Sequence, residues 1–481
     1  MRSNPKNAEP PRARQAFVVD PRPAGLRPGS RPARGTVARM LAAASGLVRR
    51  IGLFDATMIV MGGIVGSGIF VTPADVARSA GSPALILGAW VVGGVAALLG
   101  AFVYAELSSA RPEVGGQYAY LREAVHPLAA FLYGWALLLV IQTGGMAATA
   151  IAFARYFREL LPIPLGEGAV AAAAVGALTV INCLGVRAGS TAQSALMVLK
   201  ICALAALIGA GLFFGGTAPS SGAPGSATGF GAALIPVLFA YGGWQTACFV
   251  AGEMKDPRRD LPRALLLGVA GVIALYTLVA FVCLRTLGAD GLARSSAPAL
   301  EVMTRTLGRR GALAIAAGIS ISTLGFLSQS ILTAPRVYFA MAEDGLFFRS
   351  VARVHPRTRA PIVAIALQGA LAIAIALAGT FEAITRYVVS IDFVFFALTA
   401  ACIFVFRRRG VRGTFAIPGH PATTGAFIAI CAAVVLSTWR ADPVHALAGL
   451  GITLAGIPAF LIWRSRSPAT AGQPGPPAPP R

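Results

Sequence analysis

The sequence predicts an all-α polytopic membrane protein of twelve transmembrane helices, and three observations predict it. Of 481 residues, 56% are hydrophobic and 12% charged, about half the charge of an ordinary soluble domain, too few polar groups to clothe a soluble core. Apolar runs of about 20 residues, the length that crosses a ~30 Å hydrocarbon core, recur along the chain. The charge is also lopsided: 41 Lys and Arg stand against 19 Asp and Glu, for a net +22. In so apolar a chain that excess belongs to loops, not to a wettable nucleic-acid-binding face. The same figures exclude a collagen, a disulfide scaffold and a wholly disordered chain.

The runs lie at roughly 53–79, 83–105, 127–155, 169–185, 190–214, 231–252, 263–287, 311–342, 361–380, 384–406, 425–440 and 444–463. Several are rich in Ala and Gly, which lets helix backbones approach closely in lipid. Residues 1–46 form a basic tail rich in Arg, Pro, Ala and Gly, without an apolar stretch of signal-peptide length. It is expected to be disordered, either dispensable or an arm beside anionic lipid, and Met40 is an alternative start. Residues 47–410 form the ten-helix core, 411–464 two peripheral helices, and 465–481 a second disordered tail.

Orientation follows from alternate loops. With the N-terminus inside, 29 Lys and Arg fall on the cytoplasmic side, 10 on the other and two within spans; without the 11 that precede the first span, through Arg50, the ratio is 18 to 10. Both termini are expected to be cytoplasmic, in the cell inner (plasma) membrane. The six cysteines (Cys183, Cys202, Cys248, Cys283, Cys402, Cys431) stand singly in apolar runs, which suits small hydrophobes better than a disulfide or metal set. No metal or cofactor is expected.

The first span reads Met61-Gly62-Gly63-Ile64-Val65-Gly66-Ser67-Gly68-Ile69-Phe70. Four glycines there would cost a helix interior about 1 kcal/mol each. Gly62 and Gly66 alone would suit helix packing; the Gly66-Ser67-Gly68 cluster beyond them marks unwinding. The sixth span carries Phe239-Ala240-Tyr241-Gly242-Gly243-Trp244-Gln245, again a glycine interruption. Spans 1 and 6 are corresponding members of two five-span halves, the inverted-repeat arrangement in which broken helices mark a transporter site at the bilayer midplane. Unwound backbone survives at that depth only where it lines a cavity. Free N–H groups attract a carboxylate and freed carbonyls an ammonium, so a zwitterion fits. The carboxylate is expected against backbone at Ile64, Gly66, Ser67 and Gly68, and the amine against carbonyls at Phe239, Ala240 and Tyr241.

Gly63 through Phe70 resembles the first-span signature of the amino acid–polyamine–organocation transporters. Phe239 through Trp244 resembles the sixth-span break of their L-type amino acid transporter branch. Glu253 through Ala264, Tyr104-Ala105-Glu106-Leu107 continuing through Arg111-Pro112 to Gly115-Gly116-Gln117-Tyr118, and Arg336 through Gly345 are similar to that family's motifs in order. The resemblance runs from about Leu47 to Arg412. It implies a LeuT-like core with helices 1 and 6 broken, a secondary active transporter of amino acids, and Phe239 as a lid over the substrate. Animal heteromeric members carry a cysteine after span 3 that binds a glycoprotein; the corresponding loop here, about 157–168, has none, so no disulfide-linked heavy-chain subunit is expected. Cationic importers carry a glutamate in span 3, where this chain has Val140-Ile141-Gln142, which points to neutral substrates.

Lys200 lies well inside span 5. It either snorkels or, as the resemblance implies, replaces a sodium ion bridging spans 1 and 8, making transport sodium-independent with proton symport or exchange as the coupling. Asp392, in the outer half of span 10, has a local structural role or a proton-coupling one. Arg155 and Arg336, near span ends, are expected to snorkel, and Glu106 to be a solvated surface charge. Trp244 suits ordinary packing. Ser320, Ser322, Thr323, Ser328, Gln329 and Ser330 of span 8 either face the site or back-bond to their own helix. The expected partners are an amino acid and membrane lipid, without nucleic acid. A polyamine or organocation antiporter and a non-transporting amino acid sensor are the alternatives. A membrane enzyme lacks paired carboxylates or His/Cys clusters within the spans.

Overall fold

A computed structural model describes residues 49–218, 226–378 and 381–466. The expected N-terminal tail with Met40, and all but the first two residues of the C-terminal one, lie outside the described residues, as do the side chains of 379–390.

The described chain is helical. The first apolar run is two helices, α1 (Leu53–Ile64) and α2 (Gly68–Ala80), bent by 44° where the chain leaves helical geometry at Val65 (φ −78°, ψ 97°). A Ser82 cap and Pro83 in the first turn start α3 (Pro83–Ala110), the proline spending no hydrogen bond there. Short α4 (Gln117–Ala124) follows Gly115 and Gly116, both at positive φ. Then come α5 (Pro127–Ala136), a π-helical turn at Leu137–Ile141 and α6 (Gln142–Leu160), followed by α7 (Glu167–Cys183) and α8 (Val186–Phe213). The sixth run is α9 (Ala227–Ala240), an interruption at Gly242 and Gly243, and a 3₁₀ helix at Trp244–Glu253. Helices α10 (Pro257–Arg294) and α11 (Pro298–Thr333) kink at Gly288 and Gly308, and α12 (Pro335–Glu343) continues α11. The series closes with α13 (Ile362–Ala378), α14 (Phe381–Arg408), α15 (Ala422–Ala441), α16 (Pro443–Leu454) and α17 (Gly456–Arg466).

Eight of the described helices are long and apolar enough to cross a membrane, nine when the bent α1–α2 pair counts as one span. Twelve were expected. Two of the missing runs, α7 and α13, are apolar but only 17 residues long, and the third, α14, has side chains outside the described part.

Packing separates two groups. Helices α1, α2, α3, α9 and α10 pack on one another, while α6, α7, α11 and α13 share a separate apolar core built from residues such as Met146, Val175, Leu327 and Ile365; α8 lies along α11 and reaches α1 and α10. Large apolar side chains such as Val91, Val95, Val180 and Phe213 point outward, a liability in water and a requirement in lipid.

Candidate functional site

The α1–α2 break frees backbone groups inside the helical bundle, and three side chains each donate to one of its carbonyls. Tyr276 of α10 donates its hydroxyl to the Ile64 carbonyl (3.1 Å), Lys200 of α8 donates to the Val65 carbonyl, and Ser322 of α11 donates to the Gly66 carbonyl (3.0 Å). Lys200 is fully buried, so the snorkelling alternative does not hold. Room for its head comes from α11: a Cβ on Gly325 would stand 3.2 Å from Cε and 3.4 Å from Nζ. Among the described residues no carboxylate partners this ammonium. The carbonyl end of a broken helix carries partial negative charge, which repays part of its desolvation.

Each of these carbonyls thus carries one side-chain donor, whereas the N–H groups of Gly66, Ser67 and Gly68, which open α2, make no hydrogen bond among the described residues. Gly68 meets α9, where a Cβ on it would stand 3.7 Å from the Ala240 Cβ, while a Cβ on Gly66 would stand 3.5 Å from Phe326 of α11. Of the predicted residues, Gly68 and Ala240 are thus brought together where α2 crosses α9. Phe239 is 40% exposed, and its carbonyl accepts from Gly242 N–H (3.0 Å). The Tyr241 ring turns away, buried between Trp90 and Tyr276; only its backbone is available at the crossing.

The two breaks touch through glycine. Gly243 has φ +111°, and a Cβ there would lie 2.0 Å from the Gly63 carbonyl oxygen, so both the left-handed backbone and the contact require its absence. Thr246 donates to the Gly243 carbonyl (2.7 Å) and accepts from Gln329 Nε2 of α11 (2.6 Å). Gln193 of α8 donates to the Met58 carbonyl (2.8 Å). Of the span 8 polar residues, Ser322 and Gln329 therefore reach the breaks, while Ser320 and Thr323 bond back to their own helix.

One end of the bundle, rich in arginine, is closed by ion pairs. The backbone N–H groups of Arg50 and Ile51 donate to the Glu253 carbonyl (2.8 and 3.0 Å), and Lys255 N–H to that of Ile51 (2.9 Å), clamping α1 to the 3₁₀ helix. The Glu253 carboxylate pairs with Arg336 of α12 (Nε to Oε1, 2.6 Å), with both side chains at or below 1% exposure. Arg336 therefore does not snorkel as expected: a buried carboxylate lies within its reach, and the pair satisfies it. Glu106 is likewise not a solvated charge; it holds Arg407 through two 2.7 Å bonds and accepts the Ile417 N–H. Tyr118 donates to Asp344 (2.7 Å), and burial together with that carboxylate pushes its hydroxyl up, keeping it a donor. Arg155 pairs with Glu167 at an exposed position.

Trp244 stacks on Phe396, as packing predicts. Asp392 is on α14, one helical turn before Phe396. Cys248, Cys283, Cys402 and Cys431 are buried and Cys202 exposed. No group of His, Cys, Asp and Glu suited to a metal occurs among the described residues. Sequence reasoning missed Tyr276, an aromatic indistinguishable from core in an apolar run. It also missed Gln193 and Thr246, whose polarity within apolar runs was a usable signal.

The amino acid permease family model matches residues 51–455. The chain belongs to that family. Over 436 residues it is 31% identical to the serine/threonine exchanger SteT of Bacillus subtilis (strain 168), covering 88% of this chain and 98% of that one. It is 30% identical to the mouse large neutral amino acids transporter small subunit 2, covering 86% and 81%, and 29% identical to the human Asc-type amino acid transporter 1, covering 87% and 84%. This amino acid permease is thus a multi-pass membrane transporter, not an enzyme, and its two broken helices lie within the matched region.

Proposed function

We propose that this permease moves neutral amino acids across the cytoplasmic membrane without sodium, by exchange or proton symport. The observation that carries the reading is the first break, whose three carbonyls are held by Tyr276, Lys200 and Ser322. A sodium ion there would need those same carbonyls, and Lys200 supplies the positive charge instead. What remains is a donor surface for the substrate carboxylate at Gly66, Ser67 and Gly68, with the amine directed to carbonyls at Phe239, Ala240 and Tyr241. Ile64 contributes position. Phe239, half exposed at the crossing, closes over the substrate.

In this reading twelve spans include ten in two inverted five-helix repeats, and both termini and the Arg-rich end are cytoplasmic. Alternating access moves α1, α2, α9 and the 3₁₀ helix against α6, α7, α11 and α13, and breaking the Glu253–Arg336 pair opens the inner side. The absence of cysteine in 157–168 supports a permease without a disulfide-linked subunit. The relatives' functions, serine/threonine exchange and large neutral amino acid transport, favour neutral substrates.

A thermal-shift series of the purified protein against the twenty amino acids and common amines, followed by proteoliposome uptake with sodium or choline outside, tests the reading. Stabilisation by neutral amino acids and equal uptake in both salts is expected. Stabilisation by amines alone would give the polyamine alternative, binding without uptake the sensor, and uptake requiring sodium would remove Lys200 from the cation position.

A further inference from the structure

One face of α14 carries polar groups that the two breaks do not use. Asp392, Phe395, Phe396 and Thr399 recur at helical spacing and so share one side of the helix. Ring contacts fix what that side meets. Tyr104 of α3 packs edge-on to Phe396 (6.2 Å between centroids), Tyr133 of α5 edge-on to Phe395 (5.3 Å), and Trp244 of the 3₁₀ helix stacks on Phe396 (5.3 Å). Tyr104, Tyr133 and Thr399 are fully buried. Asp392 is half-buried as a residue, with Oδ1 on the shielded side.

The three helices that meet here carry four shielded oxygens: Asp392 Oδ1, Tyr104 OH, Tyr133 OH and Thr399 Oγ1. Asp392 Oδ1 and Tyr133 OH have no hydrogen-bond partner among the described residues, and Tyr104 OH and Thr399 Oγ1 have none but each other. Phe395 and Phe396, whose rings touch Tyr133 and Tyr104, lie one helical turn from Asp392 on the same face. The other titratable groups around them are Cys431 of α15 facing Asp392, Cys248 of the 3₁₀ helix facing both tyrosines, and Tyr338 of α12 beside Tyr133. No cation partners Asp392 among the described residues. Buried polar atoms are ordinarily satisfied, by ordered water where protein supplies nothing. A lone carboxylate in an apolar bundle is far costlier than a neutral carboxyl that donates to such water.

We infer that Asp392 is a proton-binding site, hydrated through Tyr104, Tyr133 and Thr399 and sealed on one side by the Trp244–Phe396 stack. The ligand is a proton: the neutral carboxyl releases it to water when the site is wetted and regains it from water when resealed. Trp244 belongs to the 3₁₀ helix that Glu253 and Arg336 hold closed, so movement of that helix unseats the ring from Phe396 and wets the carboxyl. Proton binding stands on the geometry of this cluster alone; its link to substrate movement rests on the transport reading.

Infrared difference spectra of the purified full chain, titrated in pH, read the carboxyl directly and need no transport. The wild type should show a protonated-carboxyl stretch persisting above the range where surface carboxyls ionise, and Asp392→Asn should lose it. Tyr104→Phe and Tyr133→Phe retain the carboxyl and should each move its midpoint by about one pH unit, tenfold in proton affinity. Their titrations carry the test if the asparagine variant does not fold. Identical spectra for wild type and Asp392→Asn, or midpoints unmoved in both phenylalanine variants, would overturn the inference. So would a stretch abolished by sodium in place of choline, which would make the cluster a metal-cation site. In proteoliposomes wild-type uptake should vary with pH and Asp392→Asn should flatten the profile. An intact stretch without amino acid uptake in the wild type would sink the transport reading and leave the proton site standing.

Discussion

Replacing Glu253 with Gln tests whether the buried ion pair holds the Arg-rich end shut. The substitution preserves side-chain shape and leaves the Glu253 carbonyl, with its bonds to Arg50 and Ile51 N–H, in place. What it removes is the charge facing Arg336, a guanidinium at 1% exposure whose Nη1 has no partner among the described residues. Stranding one partner of a buried pair costs about 3–5 kcal/mol. That cost falls on the closed form, because opening hydrates Arg336. At ~1.4 kcal/mol per tenfold, the closed-to-open equilibrium shifts by at least about a hundredfold. Cys248 reports the opening: it is buried in the 3₁₀ helix and pressed so closely by α4 that a Cβ on Gly116 would fall 2.8 Å from it. Alkylation of Cys248, followed by peptide mass spectrometry, should accelerate by about a hundredfold in Glu253→Gln. Cys283, buried in α10 away from the moving helix, is the control for unfolding and should not change. An unchanged Cys248 rate in a folded variant would refute the argument, and equal acceleration at both cysteines would mean lost stability, not opening.

Gly243→Ala places a methyl 2.0 Å from the Gly63 carbonyl oxygen at φ +111°. The backbone strain alone is about 1–2 kcal/mol, so a lower Tm and lost uptake are expected; a wild-type Tm would show that the two breaks are not in contact. Lys200→Ala should abolish or uncouple uptake, read as rate against pH in proteoliposomes, and a normal rate at every pH would make the lysine mechanically idle. Ser322→Ala and Tyr276→Phe each remove one hydrogen bond to a break carbonyl, worth about 1 kcal/mol. Both should weaken amino acid binding in the thermal-shift assay, whereas Thr323→Ala, whose hydroxyl bonds its own helix, should not.

What the sequence made legible here is what backbone chemistry writes in glycine. The clusters at Gly62–Gly68 and Gly242–Gly243 located both breaks because four glycines in ten residues cannot be explained by a straight apolar helix. Lys200 was equally visible, a cation where hydrocarbon solvates none. Side-chain partners were less so, since pairing is a property of two distant positions. Arg336 read as a snorkeller because nothing in its own run shows that Glu253, 83 residues earlier, meets it. Glu106 read as solvated because Arg407 is 301 residues away. Tyr276 carries no signal at all, because a tyrosine in an apolar helix looks the same whether its hydroxyl finds a carbonyl or not. The span 8 serines needed the helix rotation, which Ser322 and Gln329 reveal by reaching Gly66 and Thr246.

In the proposed reading, the break geometry assigns one end of a zwitterion to each half of the site. At α1–α2 every exposed carbonyl from Ile64 to Gly66 is already bonded to a side-chain donor, so that break has little acceptor capacity left for an ammonium. Its remaining N–H groups sit at the positive end of α2, where a carboxylate is favoured by both hydrogen bonding and the helix dipole. At α9 no side-chain donor holds the last carbonyls among the described residues, and those of Val237 and Phe239 accept only backbone N–H, from Tyr241 and Gly242 (3.0 Å each). In the transport reading proposed above, Lys200 does more than occupy a cation position. By bonding Val65 it takes up one acceptor of the first break, and its ammonium stands behind the carboxylate half. Amines lacking a carboxylate meet that charge unshielded, which is a physical reason for a permease built on this lysine to prefer amino acids over polyamines.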